Sequence, residues 1–144
     1  MQKWSQSVIH KIFKLQILLD KIGTKLVSQS TILKNNDFAI LMTLVEYPEF
    51  NQQQIALFLN IPKSKMSMDI ENMVTKKLVN RLSDPLNRRQ NKIIPSEFGM
   101  QQLQTAYLKL FPEIEKVTKT IGDDKINKLN DILDEFISAT EKLG

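Results

Sequence analysis

Apolar residues along this chain recur at helical spacing through most of its length and switch to short β-compatible runs in one place. From about Ser5 to Val27, Val8, Ile9, Ile12, Phe13, Leu15, Ile17, Leu18, Leu19, Ile22 and Leu26 cover more than one face of a predicted helix. A helix apolar most of the way round has to bury against more than one surface, and in so short a chain a second copy supplies the other one. Asn35-Asn36-Asp37 offers cap residues for a helix carrying Phe38, Ile40, Leu41, Leu44 and Val45, stopped near Tyr47-Pro48. Asn51 followed by Gln54 is a capping-box pattern opening a short helix with Ile55, Ala56, Phe58 and Leu59, interrupted by Asn60-Ile61-Pro62. A further helix is predicted from about Lys63–Ser64 to Lys77, with Met66, Ile70, Met73 and Val74 on its buried face.

The texture then changes. Leu78–Leu82 and Asn91–Ile94 are short and β-compatible, and the polar segment Ser83-Asp84-Pro85-Leu86-Asn87-Arg88-Arg89 between them predicts a hairpin. Ser96 reads as a helix cap, with Glu97 at the helix's positive end. Leu103, Tyr107, Leu110, Ile114, Val117 and Ile121 form a 3–4 seam, and Pro112 inside it should bend or restart the helix. Gly122-Asp123-Asp124 marks a break and a new cap, after which Ile126, Leu129, Leu133, Phe136, Thr140 and Leu143 repeat the stepping. Each seam taken singly is ordinary core packing. Three terminal helices with surplus apolar surface point to a homodimer.

Composition narrows the chemistry. The 144 residues are 42% apolar and 25% charged, which suits one globular domain. No run approaches the ~20 apolar residues of a membrane span, and the N-terminus lacks a signal-peptide pattern, so a cytoplasmic protein is expected. There is no Cys, one His (His10), and four Gly without a phosphate-cradling loop. Cysteine chemistry, histidine metal sites and catalytic triads therefore lose their raw materials. The expectation is not an enzyme, with no metal and no cofactor. The net charge of +4 is unevenly spread: residues 60–101 carry +4, whereas 110–144 carry −3. All three arginines, Arg81, Arg88 and Arg89, lie in the basic middle, a footprint suited to a polyanion.

Two short helices joined by a tight turn, with a two-stranded ribbon after the second, make a winged helix-turn-helix, whose second helix enters the DNA major groove. The expected fold is mainly α with a small β-hairpin wing. The hairpin, Leu78-Val79-x-Arg81-x-x-Asp84-Pro85-x-Asn87-Arg88-Arg89-x-x-Lys92-Ile93-x-x-Ser96-Glu97-x-Gly99, resembles the wing pattern of the MarR family of bacterial transcription regulators. The flanking helices match that family in number and placement. The resemblance implies a single domain over 1–144, a winged core at 37–99 and dimerisation helices at 5–27 and 100–144. It also implies a homodimeric regulator, a repressor by type, on a pseudo-palindromic operator in double-stranded DNA. Release by a small aromatic or phenolic effector goes with it, and Trp4, His10, Phe13, Phe38 and Tyr47 are candidates for lining such a cleft or for ordinary packing.

The DNA-facing residues expected are Lys63, Ser64, Lys65, Ser67 and Met68 on the recognition helix, with Asn72 beside them, and Arg88 and Arg89 at the tip of the wing. Arg89 matches the family arginine that enters the minor groove, where a narrow A·T-rich groove concentrates negative potential. Lys76 and Lys77 read as a solvated helix end. The chain departs from the family pattern in four places. Lys77 replaces a glycine, Asn87 an aspartate, Pro95 a leucine, and Met68, followed by Asp69, a frequent arginine. Methionine can touch a thymine methyl but cannot make the bidentate guanine contact. Met68, Asp69, Asn87 and Pro95 keep open an alternative, a winged-helix protein-interaction module that has lost DNA reading.

Overall fold

The computed structural model describes residue 3 and residues 6–34, 36–84 and 86–144; the side chains of Asp84 and of residues 87–91 are outside the description. In chain order the elements are α1 (Val8–Ser30), α2 (Asp37–Glu46), α3 (Gln52–Leu59), α4 (Lys63–Thr75), β1 (Val79–Asp84), β2 (Asn87–Pro95), α5 (Glu97–Ile121) and α6 (Asp123–Glu141). The mainly helical architecture with one antiparallel hairpin is the winged helix that the pattern predicts. Two compact units divide the chain, Met1–Leu108 and Lys109–Gly144.

The first unit holds the core. Leu33, Ile40, Leu41, Ile55, Met66, Ile70, Met73, Leu78 and Ile93 are essentially inaccessible. They come from α2, α3, α4, the hairpin and the α1–α2 connection, so the helix-turn-helix and its wing share one apolar centre. The capping box forms as its residues predict: the Asn51 side chain accepts from the Gln54 N–H at 2.9 Å, and the Gln54 side chain accepts from the Asn51 N–H at 2.8 Å. Asn60 then takes a left-handed conformation (φ 53°), and the Ile61 N–H returns to the Ala56 carbonyl, which reverses the chain into Pro62 and α4.

Several boundaries differ from the pattern. The first helix starts at Val8, capped by the Ser7 side chain on the His10 N–H, and continues to Ser30. Asn36 precedes α2 but makes no side-chain cap, and its Nδ2 donates instead to the Asp69 carboxylate; Asn35 lies outside the described residues. The hairpin strands are longer than the β-compatible runs, and the turn is correspondingly shorter. Asp84 pairs with Asn87 and Ser83 with Asn91, so Arg88, Arg89 and Gln90 are extra residues of β2 in a bulge. The two arginines therefore belong to the start of β2 rather than to a loop. Pro95 ends β2 opposite Val79, where the missing N–H interrupts little of the ladder.

In the second half of the chain α5 runs through Pro112 without a break, so of the bend or restart expected there the restart does not occur. Proline in a helix interior removes one bond, here the one owed to the Leu108 carbonyl, and the remaining ladder continues past it. Gly122, at φ 101°, separates α5 from α6 and stands at the cap position itself, with Asp123 and Asp124 in the first turn. No residue of α6 is buried. Its apolar seam is present, but Leu129, Ile132, Leu133, Phe136 and Ile137 are all exposed in the single chain.

Candidate nucleic-acid interface

The α4 helix sorts its residues by face. Met66, Ile70 and Met73 point into the core. Lys63, Ser64, Lys65, Ser67, Met68 and Asn72 are exposed, so every recognition-helix residue singled out from the sequence lies on the solvent side. The first turn has no acidic residue and no side-chain cap. Lys63 and Lys65 sit instead at the positive end of the helix dipole, an arrangement unfavourable in isolation and favourable once an anion arrives. The Gln52 side chain, at the start of α3, donates to the Ser67 hydroxyl at 3.2 Å, bringing the N-terminus of α3 against the exposed face of α4.

Asp69 does not belong to that face. It is 5% exposed, and its carboxylate accepts from the Asn36 side-chain amide at 2.9 Å and pairs with the Lys65 ammonium at 3.4 Å. Its carboxylate is thus buried behind Lys65 and is not presented on the exposed face itself. Next to Asn36, the buried Asp37 accepts from the Lys34 N–H at 3.0 Å and from the Lys76 ammonium at 2.5 Å. Lys76 is therefore not a free solvated helix end: it ties the C-terminus of α4 to the first turn of α2. Asp69 and the α4 C-cap Lys76 lie two helical turns apart, in phase with Met66 and Met73, and the adjacent Asn36 and Asp37 at the start of α2 meet them. A charged residue in phase with a buried stripe was the sequence signal for this clamp.

Polar contacts also tie the wing to the same unit. Arg81 on β1 pairs with Glu71 on α4 at 2.5 Å. At the junction, Lys77 adopts a left-handed conformation (φ 61°), its N–H bonded to the Val74 carbonyl and the Leu78 N–H to the Met73 carbonyl. That pattern closes the helix as glycine usually does, so the lysine accepts the left-handed backbone that the sequence departure raised. The Ser96 hydroxyl donates to the Lys77 carbonyl at 2.5 Å and accepts from the Gly99 N–H at 2.8 Å, the cap expected of it. The backbone of Arg88 and Arg89 runs in the β2 bulge, and their side chains lie outside the described residues.

Of the aromatic candidates for an effector cleft, Trp4 lies outside the described residues. His10 and Phe38 are half-buried and Phe13 is exposed. Tyr47 stacks on Phe50 (centroids 4.6 Å apart) and meets Phe58 edge-on (5.1 Å), a cluster that closes the α2–α3 corner. Among the described residues no helix is long and apolar enough to cross a membrane.

Residues 33–90, from the α1–α2 connection into the wing, match the model of the MarR family. The fold is shared with a MarR family protein from Bacillus stearothermophilus (15% identity, 98% of this chain and 99% of that one, TM-score 0.83). It is shared with the regulator BldR from Sulfolobus solfataricus (21% identity, 96% and 99%, TM-score 0.78). The transcriptional repressor CouR, solved bound to a 23-mer DNA duplex, aligns at 22% identity over 95% of this chain and 96% of that one, with TM-score 0.78. The comparison with curated proteins gives no match. Residues 33–90 thus resemble the MarR family in sequence, and the chain around them shares the fold of these solved regulators.

Proposed function

We propose that this protein is a sequence-specific, DNA-binding transcription regulator, a repressor by type, acting in the cytoplasm as a homodimer on a pseudo-palindromic operator. The observation that carries the reading is the exposed face of α4. Lys63, Ser64, Lys65, Ser67 and Met68 stand together in solvent, on a helix whose other side is locked into the core. In this reading the two lysines hold phosphates, Ser67 and Met68 touch base edges, and Arg88 and Arg89 engage the flanking minor groove. A domain plan of a winged core at 37–99 between dimerisation helices at 5–27 and 100–144 accompanies it. Its support is the apolar surface left open on α1 (Phe13, Leu15, Ile17, Leu18) and on α6 (Ile132, Leu133, Phe136, Ile137). Half-buried His10 and Phe38 offer lining for a small aromatic effector, read as a fall in duplex affinity when phenolic compounds are added.

Fluorescence anisotropy on duplexes taken from upstream of the protein's own gene tests the reading. Binding should be tightest on one sequence and weaken steeply with salt through counterion release. The alternative, a protein-interaction module, draws on the exposed apolar side chains of Met68 on α4, Leu82 on the wing strand and Leu86 at its turn. It predicts no duplex binding and a salt-insensitive protein complex instead.

A further inference from the structure

Two carboxylates are buried among the described residues, Asp37 and Asp69, and the DNA-binding reading uses neither. Asp37 is accounted for by its bonds to the Lys34 N–H and the Lys76 ammonium. Asp69 is different. It occupies a position on α4 between the buried Met66, Ile70 and Met73, where an apolar residue would pack without any desolvation cost. Its two oxygens are divided between different tasks. Oδ2 accepts from the Asn36 amide at 2.9 Å, on the inner side. Oδ1 faces the Lys65 ammonium at 3.4 Å, one turn back towards the helix N-terminus. The Lys65 side chain is 52% exposed against 6% for Asp69, so the ammonium sits at the exposed face of α4 with its counter-charge beneath it.

That pair is built to be exchanged. At 3.4 Å it is longer than the other contacts in the unit, and lysine N-terminal to an acid at i,i+4 is the weaker orientation on a helix. Asp69 itself cannot follow the lysine outward, since Asn36 anchors it. The neighbouring acid, Glu71, is paired with Arg81. We propose that Asp69 is a positioning residue for DNA binding: anchored by Asn36, its outer oxygen draws the Lys65 ammonium away from the phosphates and so lowers the strength of duplex binding. The proposal rests on the DNA-binding reading above, and it makes Lys65 a cation shared between the protein's own carboxylate and the duplex.

The test is a two-by-two set on one duplex, with anisotropy measured between 50 and 200 mM salt: the wild-type protein, Asp69→Asn, Lys65→Ala and the double variant. Asparagine keeps an acceptor for Asn36 and removes only the charge. Asp69→Asn should bind more tightly at low salt, with a log–log salt slope steeper by nearly 0.9, the value of one added phosphate contact. Its loss of affinity across that salt range should then be about threefold larger than the wild type's. Lys65→Ala alone should flatten the slope by well under one unit, and in the double variant the gain from Asp69→Asn should vanish. A gain that survives in the Lys65→Ala background reflects general charge removal and overturns the proposal, as does an unchanged slope in Asp69→Asn. A full unit lost in Lys65→Ala alone overturns it as well, by an arm that does not depend on how Asp69→Asn folds. Acetylation of Lys65 in the DNA-free protein, followed by mass spectrometry, should quicken severalfold in Asp69→Asn; an equal rate counts against the pairing. Wild-type protein that binds no duplex at any salt removes the DNA-binding reading and the proposal together, whereas wild-type binding with an unaltered variant slope removes the proposal alone.

Discussion

The carbonyl oxygen of Leu78 lies 2.0 Å from the place a β-carbon on Gly99 would occupy, so the first turn of α5 passes directly against the backbone at the head of the wing. The same oxygen accepts the Ser96 N–H at 2.9 Å and cannot retreat without losing that bond. Alanine in a helix is ordinarily more stable than glycine by about 1 kcal/mol. Here the sign should reverse. Gly99→Ala is expected to cost about 2–3 kcal/mol through overpacking against backbone, seen as a fall in the urea midpoint with little change in m. A stabilised variant would mean that α5 starts further from Leu78 than the structure has it.

At Lys77 the opposite outcome is expected. An L-residue in the left-handed region costs roughly 1–2 kcal/mol, and glycine removes that cost while adding about 0.5–1 kcal/mol of unfolded-state entropy. Lys77→Gly should therefore raise the melting temperature slightly, by roughly 1–3 °C for about 0.5 kcal/mol in a chain of this size. A lower melting temperature would show that the lysine side chain contributes more than its backbone costs.

Local signals carried much of the fold. The Asn51–Gln54 capping box, the 3–4 spacing of Met66, Ile70 and Met73, and the Ser96 cap each involve residues within a few positions of one another, and each is present as read. What was not legible depends on distant partners. Lys76 looked like a solvated helix end because Asp37, 39 residues away, is invisible to any local pattern. The Asn36 amide was read as a cap, but the buried Asp69 carboxylate claims it across 33 residues. Pro112 is the converse case: its local chemistry predicts a bend or a restart, and the restart is absent because the long ladder on both sides outweighs the one bond it removes. The shared exposed face of Lys63, Ser64, Lys65, Ser67 and Met68 on α4 was legible because a helix face is a local property. The register of the wing was not, since the bulge at Arg88–Gln90 follows from strand pairing.

The apolar surface of the terminal helices leads to a prediction about assembly. Ile12 on α1 and Leu133 on α6 are each more than a third exposed in the single chain, which is costly for side chains in apolar stripes of this length. Sedimentation velocity should find the wild-type species at twice the 16.7 kDa chain mass. Ile12→Asp or Leu133→Asp should give a monomer or an unfolded chain, because a carboxylate buried in an interface without a partner costs several kcal/mol. A folded wild-type monomer at micromolar concentration would overturn the dimer.

The wing offers the sharpest separation between stability and binding. Bulges re-aim side chains at strand ends, and the β2 bulge contains Arg88 and Arg89 in succession. Arg88→Ala and Arg89→Ala are expected to melt close to the wild-type temperature, within the roughly 0.5 kcal/mol usual for surface substitutions. Their duplex affinity should fall, and unequally. Narrow A·T-rich minor grooves concentrate negative potential, so an operator with A·T-rich flanks should lose more than one with G·C-rich flanks. Losses equal on both operators would assign the arginines to phosphates instead of the minor groove. Asn87→Asp tests the neighbouring departure, since a carboxylate beside Arg88 and Arg89 offers them an internal partner and should change the contribution of Arg89 measured by Arg89→Ala in that background. If both alanine variants keep full affinity on both operators with the fold intact, the wing takes no part in DNA binding, and the reading built on the exposed apolar residues Met68, Leu82 and Leu86, a protein-binding winged helix, becomes the better account.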